Sequence, residues 1–127
     1  MHALVIDDSR AMRRIIGDMM RQLGFEVTEA VHGKAGYEQL LGGLMPNVVL
    51  VDWNMPEMNG LEFVQAVRAN DCFANLPLVM VTTETEMEKV AAALEDGANE
   101  YVMKPCSREI LADKLQLLGV KAETTLV

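Results

Sequence analysis

The chain has 127 residues, of which 50% are hydrophobic and 24% charged, and its formal net charge at pH 7 is -8. This length and balance are typical of one folded domain and argue against a disordered or fibrous chain. The negative charge disfavours binding to nucleic acid or to an anionic membrane, because both need clustered cations. The sequence contains no apolar run long enough for a membrane span, so we expect a cytoplasmic protein.

Short apolar runs alternate five times with longer stretches of helical period. Three runs, at residues 3–6, 48–51 and 78–81, are continuously apolar, which is typical of central strands that are covered on both faces of a parallel sheet. The run at 26–30 is half polar and is predicted to be an edge strand, and residues 101–103 form the fifth and shortest strand.

The stretches between the strands carry helix signals. Ser9 is a candidate N-cap, and Gly24 a candidate end, for the clearest helix, whose apolar residues recur at helical spacing: Met12, Ile15, Ile16, Met19, Met20 and Leu23. Weaker apolar stripes predict the other helices. The second contains Tyr37, Leu40 and Leu41; the third opens at Asn59; Thr85 and Ser107 are candidate caps of the fourth and fifth, which end at Gly97 and Gly119.

This alternation predicts an α/β fold of the (βα)5 type, a doubly wound parallel sheet with helices on both faces. Five strands are too few for a closed (β/α)8 barrel. We expect residues 1–127 to form a single domain with its core at about 3–119 and a loose C-terminal tail at 120–127.

Polar residues follow four of the predicted strands. The first strand is followed by Asp7 and Asp8, the third by Asp52, the fourth by Thr82 and the fifth by Lys104. The carboxyl ends of parallel strands lie at one edge of a sheet, and that edge is where such folds bind ligands. The coincidence of these residues, more than any one of them, indicates a functional site.

The residue types at this edge predict phosphoryl chemistry. Three carboxylates would repel one another unless a cation relieved them, which favours an oxygen-liganded Mg²⁺, with Mn²⁺ as a second candidate. Lys104 and the Thr82 hydroxyl suit a phosphoryl group beside that metal. Asp52 is the best candidate for the nucleophile because it follows a central strand without an adjacent carboxylate, whereas Asp7 and Asp8 suit the metal.

These motifs resemble one known family. Asp7-Asp8, Asp52-x-x-Met55-Pro56-x-Met58-x-Gly60, Thr82 and Lys104-Pro105 are similar, in order and spacing, to those of the receiver domains of two-component response regulators. The resemblance covers about residues 3–119. It implies a flavodoxin-like receiver fold with strand order 2-1-3-4-5, and a phosphoryl group transferred to Asp52 from a sensor histidine kinase or phosphotransfer protein.

The resemblance also implies roles for individual residues. Asp8, Asp52 and the backbone carbonyl of Asn54 would bind Mg²⁺ directly, and Asp7 would act through water. Thr82 and Lys104 would contact the phosphoryl group.

The same resemblance implies an output face and a tuned lifetime. Thr82 and Tyr101 would act as the switch, and a downstream target protein would bind the face made by the fourth helix, fifth strand and fifth helix. Asn54 and Glu84 flank the path of the hydrolytic water and favour fast loss of the phosphoryl group, whereas Thr83 could shield it.

Three alternatives differ in function. An aspartyl phosphohydrolase would usually carry an acid two residues after its nucleophile, where this chain has Asn54. A flavin or nucleotide binder would need a glycine-rich loop after the first strand, where Asp7 and Asp8 stand. A receiver that has lost phosphorylation would not need the complete residue set. We therefore favour a phosphorylated receiver, of the stand-alone chemotaxis or phosphorelay kind.

Overall fold

Five strands alternate with five α-helices in the computed structural model, which describes residues 1–55, 58–83, 87–104 and 107–120. The elements are β1 (His2–Ile6), α1 (Arg10–Gln22), β2 (Glu26–Ala30), α2 (Gly33–Leu41), β3 (Val48–Asp52), α3 (Gly60–Arg68), a 3₁₀ helix (Asp71–Phe73), β4 (Leu78–Thr82), α4 (Met87–Glu95), β5 (Glu100–Met103) and α5 (Arg108–Leu117). Within the described ranges, no helix has both the length and the apolar character to cross a bilayer.

Some predictions concern residues outside the described ranges. They are the motif residues Pro56 and Pro105, the candidate cap Thr85, the lifetime residue Glu84 and the tail at 121–127.

The strands form one parallel sheet in the order β2-β1-β3-β4-β5. This order confirms the predicted doubly wound, flavodoxin-like fold, with β2 and β5 at the edges. All residues of β3 and β4 are buried, as their continuous apolar sequences predicted. The polar residues Asp52 and Thr82 are the last residues of these two strands, one residue further than the apolar runs alone indicated.

The core lies in two layers, one on each face of the sheet. Because successive side chains of a strand point to opposite faces, Leu4 and Ile6 of β1 belong to one layer and Ala3 and Val5 to the other. The first layer includes Phe63 of α3, and the second layer packs against α1 and α5. The sheet is therefore covered on both sides.

The helix ends follow the predicted capping residues. The hydroxyl oxygen of Ser9 accepts a hydrogen bond from the Met12 amide, and that of Ser107 accepts one from the Ile110 amide, both at 3.2 Å. Asn59 caps α3 and forms a reciprocal capping box with Glu62. The predicted helix-ending glycines, Gly24, Gly97 and Gly119, have φ values of 96°, 123° and 74°, a region that few other residues enter.

The exposure of some residues differs from the prediction. Ile15 and Leu41 belong to the apolar stripes that predicted their helices, but these two residues are 51% and 57% exposed. Neighbouring helix residues point about 100° apart, and α1 and α2 are docked so that Ile16 and Leu40 face the core while Ile15 and Leu41 point towards solvent. Val120, assigned to the tail, is buried, and its amide donates to the Leu115 carbonyl at 2.9 Å.

We predict that Gly60→Ala destabilises the fold. A methyl group on Gly60 would lie 2.6 Å from Met80 Cε and 2.9 Å from both Asp52 O and Trp53 Cα, so the backbone after β3 would have to move. We expect a loss of about 1–3 kcal/mol in the free energy of unfolding, measured by urea denaturation. The control is Gly17→Ala in α1, where the nearest atom is 3.4 Å away and alanine should be neutral or stabilising. Equal stability of the two variants would contradict this prediction.

Candidate functional site

The sheet brings the predicted site residues to one edge. Asp7 and Asp8 follow β1, Asp52 ends β3, and Thr82 ends β4, so the parallel strands deliver all four to their carboxyl ends. Carboxylate oxygens of the three aspartates lie within 4.8 Å of one another. The chain thus has an acidic cluster at the edge where the sequence analysis placed a metal site.

Lys104 supplies the positive charge of the cluster. Its Nζ donates to Asp52 Oδ1 at 2.8 Å and lies 3.3 Å from Asp7 Oδ2. Its backbone amide donates to the Thr82 carbonyl at 2.7 Å, which continues the pairing of β4 with β5 and anchors the residue that carries the ammonium group. The ammonium group is therefore positioned by the sheet itself.

Asp7 is buried and Asp8 is exposed, so the two adjacent carboxylates have different environments. Asp7 Oδ1 accepts a hydrogen bond from the Ser9 amide at 2.8 Å. Its Oδ2 forms an ion pair with Lys104 Nζ at 3.3 Å and has no well-aligned hydrogen bond within the described residues. A buried carboxylate oxygen with free acceptor capacity beside two more carboxylates fits a hard divalent cation and its bound water.

Burial and charge crowding change the ionisation of the pair at the centre of the site. Burial raises the pKa of Asp52 to about 6; the hydrogen bond from Lys104 opposes this rise, and the charges of Asp7 and Asp8 add to it. Burial alone would lower the pKa of Lys104, but the hydrogen bond and charge of Asp52, together with Asp7, raise that pKa overall. At neutral pH, Lys104 is protonated and most Asp52 side chains are ionised.

The other residues predicted near the phosphoryl group have different degrees of exposure. Thr82 is fully buried, and its hydroxyl donates to the Thr83 carbonyl at 3.3 Å. Thr83 is half-buried and Asn54 is exposed, so both can adjoin a ligand at the sheet edge. Glu84 lies outside the described residues.

Tyr101 lies on β5, beside Met80 of β4 in the strand register. Its side chain is half-buried against the core layer that contains Phe63. Lys114 Nζ of α5 lies 4.8 Å from the centre of its ring and forms an ion pair with Glu100 at 3.1 Å. Tyr101 thus connects β5 with α5.

Two residues near the cluster, Trp53 and Arg13, make contacts that the sequence did not predict. Trp53, which follows Asp52, is only 7% exposed, and Lys89 Nζ lies 5.8 Å from its ring centre. Arg13 was not among the predicted site residues, yet its Nη1 donates to the Asp7 carbonyl at 2.8 Å. The helical period places Arg13 at the border of the apolar stripe of α1 and Arg14 on the opposite face, but only the fold shows that Arg13 reaches Asp7.

Known proteins match the chain over nearly its whole length. Residues 3–116 match the family described as the response regulator receiver domain. The chain is 44% identical over 119 residues to the chemotaxis protein CheY1 of Helicobacter pylori, covering 93% of this chain and 96% of that protein. It is also 44% identical to the chemotaxis protein CheY homolog of Campylobacter jejuni, over 91% of this chain and 90% of the relative.

Solved structures share the fold. The Vibrio cholerae chemotaxis protein CheY4 superposes with a TM-score of 0.84 at 33% identity, covering 92% of this chain and 97% of that one. A receiver domain protein from Clostridium thermocellum superposes with a TM-score of 0.85 at 22% identity, a likeness that concerns the fold alone.

We predict a pH dependence of stability that depends on Asp52 in cation-free protein. Between pH 4 and 6, the folded state holds a proton on Asp52 that the unfolded state, with the usual pKa of 3.8, has lost. The free energy of unfolding should therefore fall as pH rises through this window, by up to about 3 kcal/mol. Asp52→Asn should lack this pH-dependent decrease. The free energy of unfolding can be measured by urea denaturation in the presence of a chelator from pH 4 to 7.

The control for this prediction is Asp113→Asn on the exposed surface of α5, which should keep the wild-type slope. Parallel pH profiles for wild type and Asp52→Asn would show that burial does not raise the pKa of Asp52.

Proposed function

Because this chain belongs to the family of response regulator receiver domains, we propose that it is a phospho-acceptor of two-component signalling and that Asp52 receives the phosphoryl group. One observation carries this assignment: Asp52 is buried at the end of β3, hydrogen-bonded to Lys104 and close to Asp7 and Asp8. We propose that residues 1–127 act as one receiver domain.

The reaction is a transfer from nitrogen to oxygen. A carboxylate oxygen of Asp52 attacks the phosphorus of a phosphohistidine on a sensor histidine kinase or phosphotransfer protein. The phosphorus–nitrogen bond breaks, an aspartyl phosphate forms, and the imidazole nitrogen of the donor leaves with the bonding electron pair and takes up a proton. Lys104 would neutralise charge on the phosphoryl oxygens, and the Thr82 hydroxyl would donate to one of them.

The acidic cluster would hold Mg²⁺, with Mn²⁺ as an alternative. Asp8, Asp52 and the Asn54 carbonyl would be ligands and Asp7 would act through water; this all-oxygen donor set fits such a cation. When bound, the cation supplies charge neutralisation to the phosphoryl oxygens. Without it, the three carboxylates have only Lys104 as a cation within the described part of the site.

The output is proposed to be a change of the surface made by α4, β5 and α5. An aspartyl phosphate carries about -1.5 to -2 charge where the ionised Asp52 carboxylate carried -1, and its oxygens provide acceptors for the Thr82 hydroxyl. Movement of Thr82 would change the packing available to Tyr101, which lies on the neighbouring strand. A downstream target protein would read this face. The relatives named as chemotaxis proteins support a role in chemotaxis. We propose that the protein acts in the cytoplasm, where ATP would supply the phosphoryl group of the donor kinase.

Two of the alternatives lose support at this site. An aspartyl phosphohydrolase would need a proton donor where the chain has Asn54, and the chain matches a signalling family instead. A flavin or nucleotide binder without a metal would have to place phosphate beside the buried Asp7, which would repel it. A receiver that no longer accepts phosphate is separated from this proposal by the next experiment.

We predict that acetyl phosphate with Mg²⁺ adds the mass of one phosphoryl group to the protein, as measured by intact mass. Asp52→Asn should gain none, because an amide is not a nucleophile for this transfer, and chelator should prevent the gain in wild type. Asp113→Asn, which removes an exposed carboxylate on α5, should behave as wild type. A normal mass gain in Asp52→Asn would overturn the assignment, and no gain in wild type would favour a receiver without phosphorylation.

We predict that Asn54 shortens the lifetime of the phosphoryl group. Its exposed amide, two residues beyond Asp52, can hold a water in line with the phosphorus. Losing one such hydrogen bond costs about 1 kcal/mol, so Asn54→Met should slow single-turnover decay roughly fivefold. Glu84→Ala should act in the same direction, and Thr83→Ala should speed decay by removing a shielding methyl group.

The matched control for the lifetime is Asn75→Met, an exposed asparagine in the loop between the 3₁₀ helix and β4. If both Asn54→Met and Asn75→Met lose the phosphoryl group at the wild-type rate, water positioning by Asn54 does not set the lifetime.

A further inference from the structure

Arg13 connects three elements next to Asp7 of the acidic cluster. It lies on α1, and only 13% of its side chain is exposed. Its Nη1 donates to the Asp7 carbonyl at 2.8 Å, and its Nε donates to Glu29 Oε1 of β2 at 3.3 Å. The guanidinium group therefore joins α1, the end of β1 and the edge strand β2.

Glu29 is itself held from a second side. Arg21 of α1 lies 3.6 Å from Glu29 Oε2 and pairs with Asp18 at 3.0 Å. Arg14, the residue next to Arg13, is 79% exposed, and its nearest carboxylate, on Asp18, is 3.9 Å away. Two adjacent arginines of the same charge thus have different surroundings, which makes Arg14 a matched control.

The polar atoms of Asp7 explain what Arg13 does. The Asp7 amide donates to the Ala30 carbonyl at 3.2 Å, its Oδ1 accepts from the Ser9 amide at 2.8 Å, and its carbonyl accepts from Arg13. Every polar atom of Asp7 except Oδ2 is therefore engaged by the surrounding fold. Oδ2 remains on the side of Lys104 and the acidic cluster.

We propose that Arg13 is a positioning residue for the cation site: it fixes the backbone at Asp7, and so directs Asp7 Oδ2 into the cluster and raises the affinity for divalent cations. This inference rests on the proposed function, since it assumes that the cluster binds Mg²⁺. Outer-shell partners of metal ligands commonly change metal affinity by about 10–100-fold. Arg13 acts through a backbone carbonyl, so we expect the lower end of that range.

Positioning and simple charge predict opposite signs. Arg13 is a cation near a cation site, so removing its charge should tighten Mg²⁺ binding if electrostatic repulsion alone mattered. If positioning dominates, removing the side chain should weaken binding. The direction of the change therefore identifies the role.

The experiment measures Mg²⁺ affinity through the fluorescence of Trp53, the chain's single tryptophan, which follows Asp52 directly. Arg13→Met keeps the apolar part of the side chain and should raise the Mg²⁺ Kd about tenfold. Arg13→Lys keeps the charge but cannot span both the Asp7 carbonyl and Glu29, so its Kd should lie between those of wild type and Arg13→Met. Arg14→Met and Arg14→Lys should bind as wild type does.

A second readout separates positioning from general damage. In phosphorylation by acetyl phosphate, Arg13→Met should need about tenfold more Mg²⁺ for half the maximal rate, yet reach a rate near that of wild type at saturating Mg²⁺. If Arg13→Met does not fold, the comparison of Arg13→Lys with Arg14→Lys decides, and equal affinities there would overturn the proposal.

Mg²⁺ binding by Arg13→Met that equals or exceeds that of wild type would also overturn this role while leaving the proposed function intact. Failure of wild type to bind Mg²⁺ or to accept a phosphoryl group would instead overturn the proposed function and, with it, this inference.

Discussion

Crowding of negative charge at the end of the sheet is the constraint on which the site depends. Asp7 and Asp52 are buried, Asp8 lies beside them, and oxygens of all three lie within 4.8 Å of one another. At an effective dielectric constant near 20, one such pair repels by roughly 3–4 kcal/mol. Lys104 offsets part of this repulsion through its 2.8 Å contact with Asp52. The remaining negative charge favours the binding of a divalent cation, which the proposed phosphoryl transfer would require.

The sheet supports this unfavourable arrangement. β3 and β4 are buried along their whole length and carry Asp52 and Thr82 as their last residues, so the site residues cannot separate without disrupting the core. Gly60 completes the support, because it lets α3 begin against the backbone of Asp52 and Trp53. The apolar packing of both sheet faces thus holds together charges that would disperse on a flexible loop.

The sequence predicted the parts of the molecule that depend on local pattern. Continuous apolar runs identified β1, β3 and β4, the half-polar run identified β2 as an edge, and Ser9 and Ser107 marked helix starts. The clustering of the polar site residues followed from the parallel topology, which brings the carboxyl ends of the strands to one edge. The prediction for Ile15 was wrong because helical period alone cannot tell which of two adjacent apolar residues faces the core. The angle at which the helix packs on the sheet determines this.

The contacts that the sequence could not predict join residues through the fold. Arg13 and Glu29 lie on different elements, and their contact depends on rotamers that only the packed α1 and β2 determine. The same contact explains why an edge strand with a half-polar sequence carries Glu29 at this position. In the sequence, Glu29 resembles any charged surface residue. In the fold, its carboxylate accepts from Arg13, which in turn donates to the Asp7 carbonyl.

The contrast between Asp7 and Asp8 completes the physical account of the site. Asp7 is 1% exposed and is held through both backbone groups and one carboxylate oxygen, whereas Asp8 is exposed to solvent. A cation that arrives with its water shell can therefore exchange water on the side of Asp8 while the charge of Asp7 attracts it from within. A hydrogen-bonded carboxylate beside an accessible one makes the site both preorganised and open, as the proposed phosphoryl switch would require.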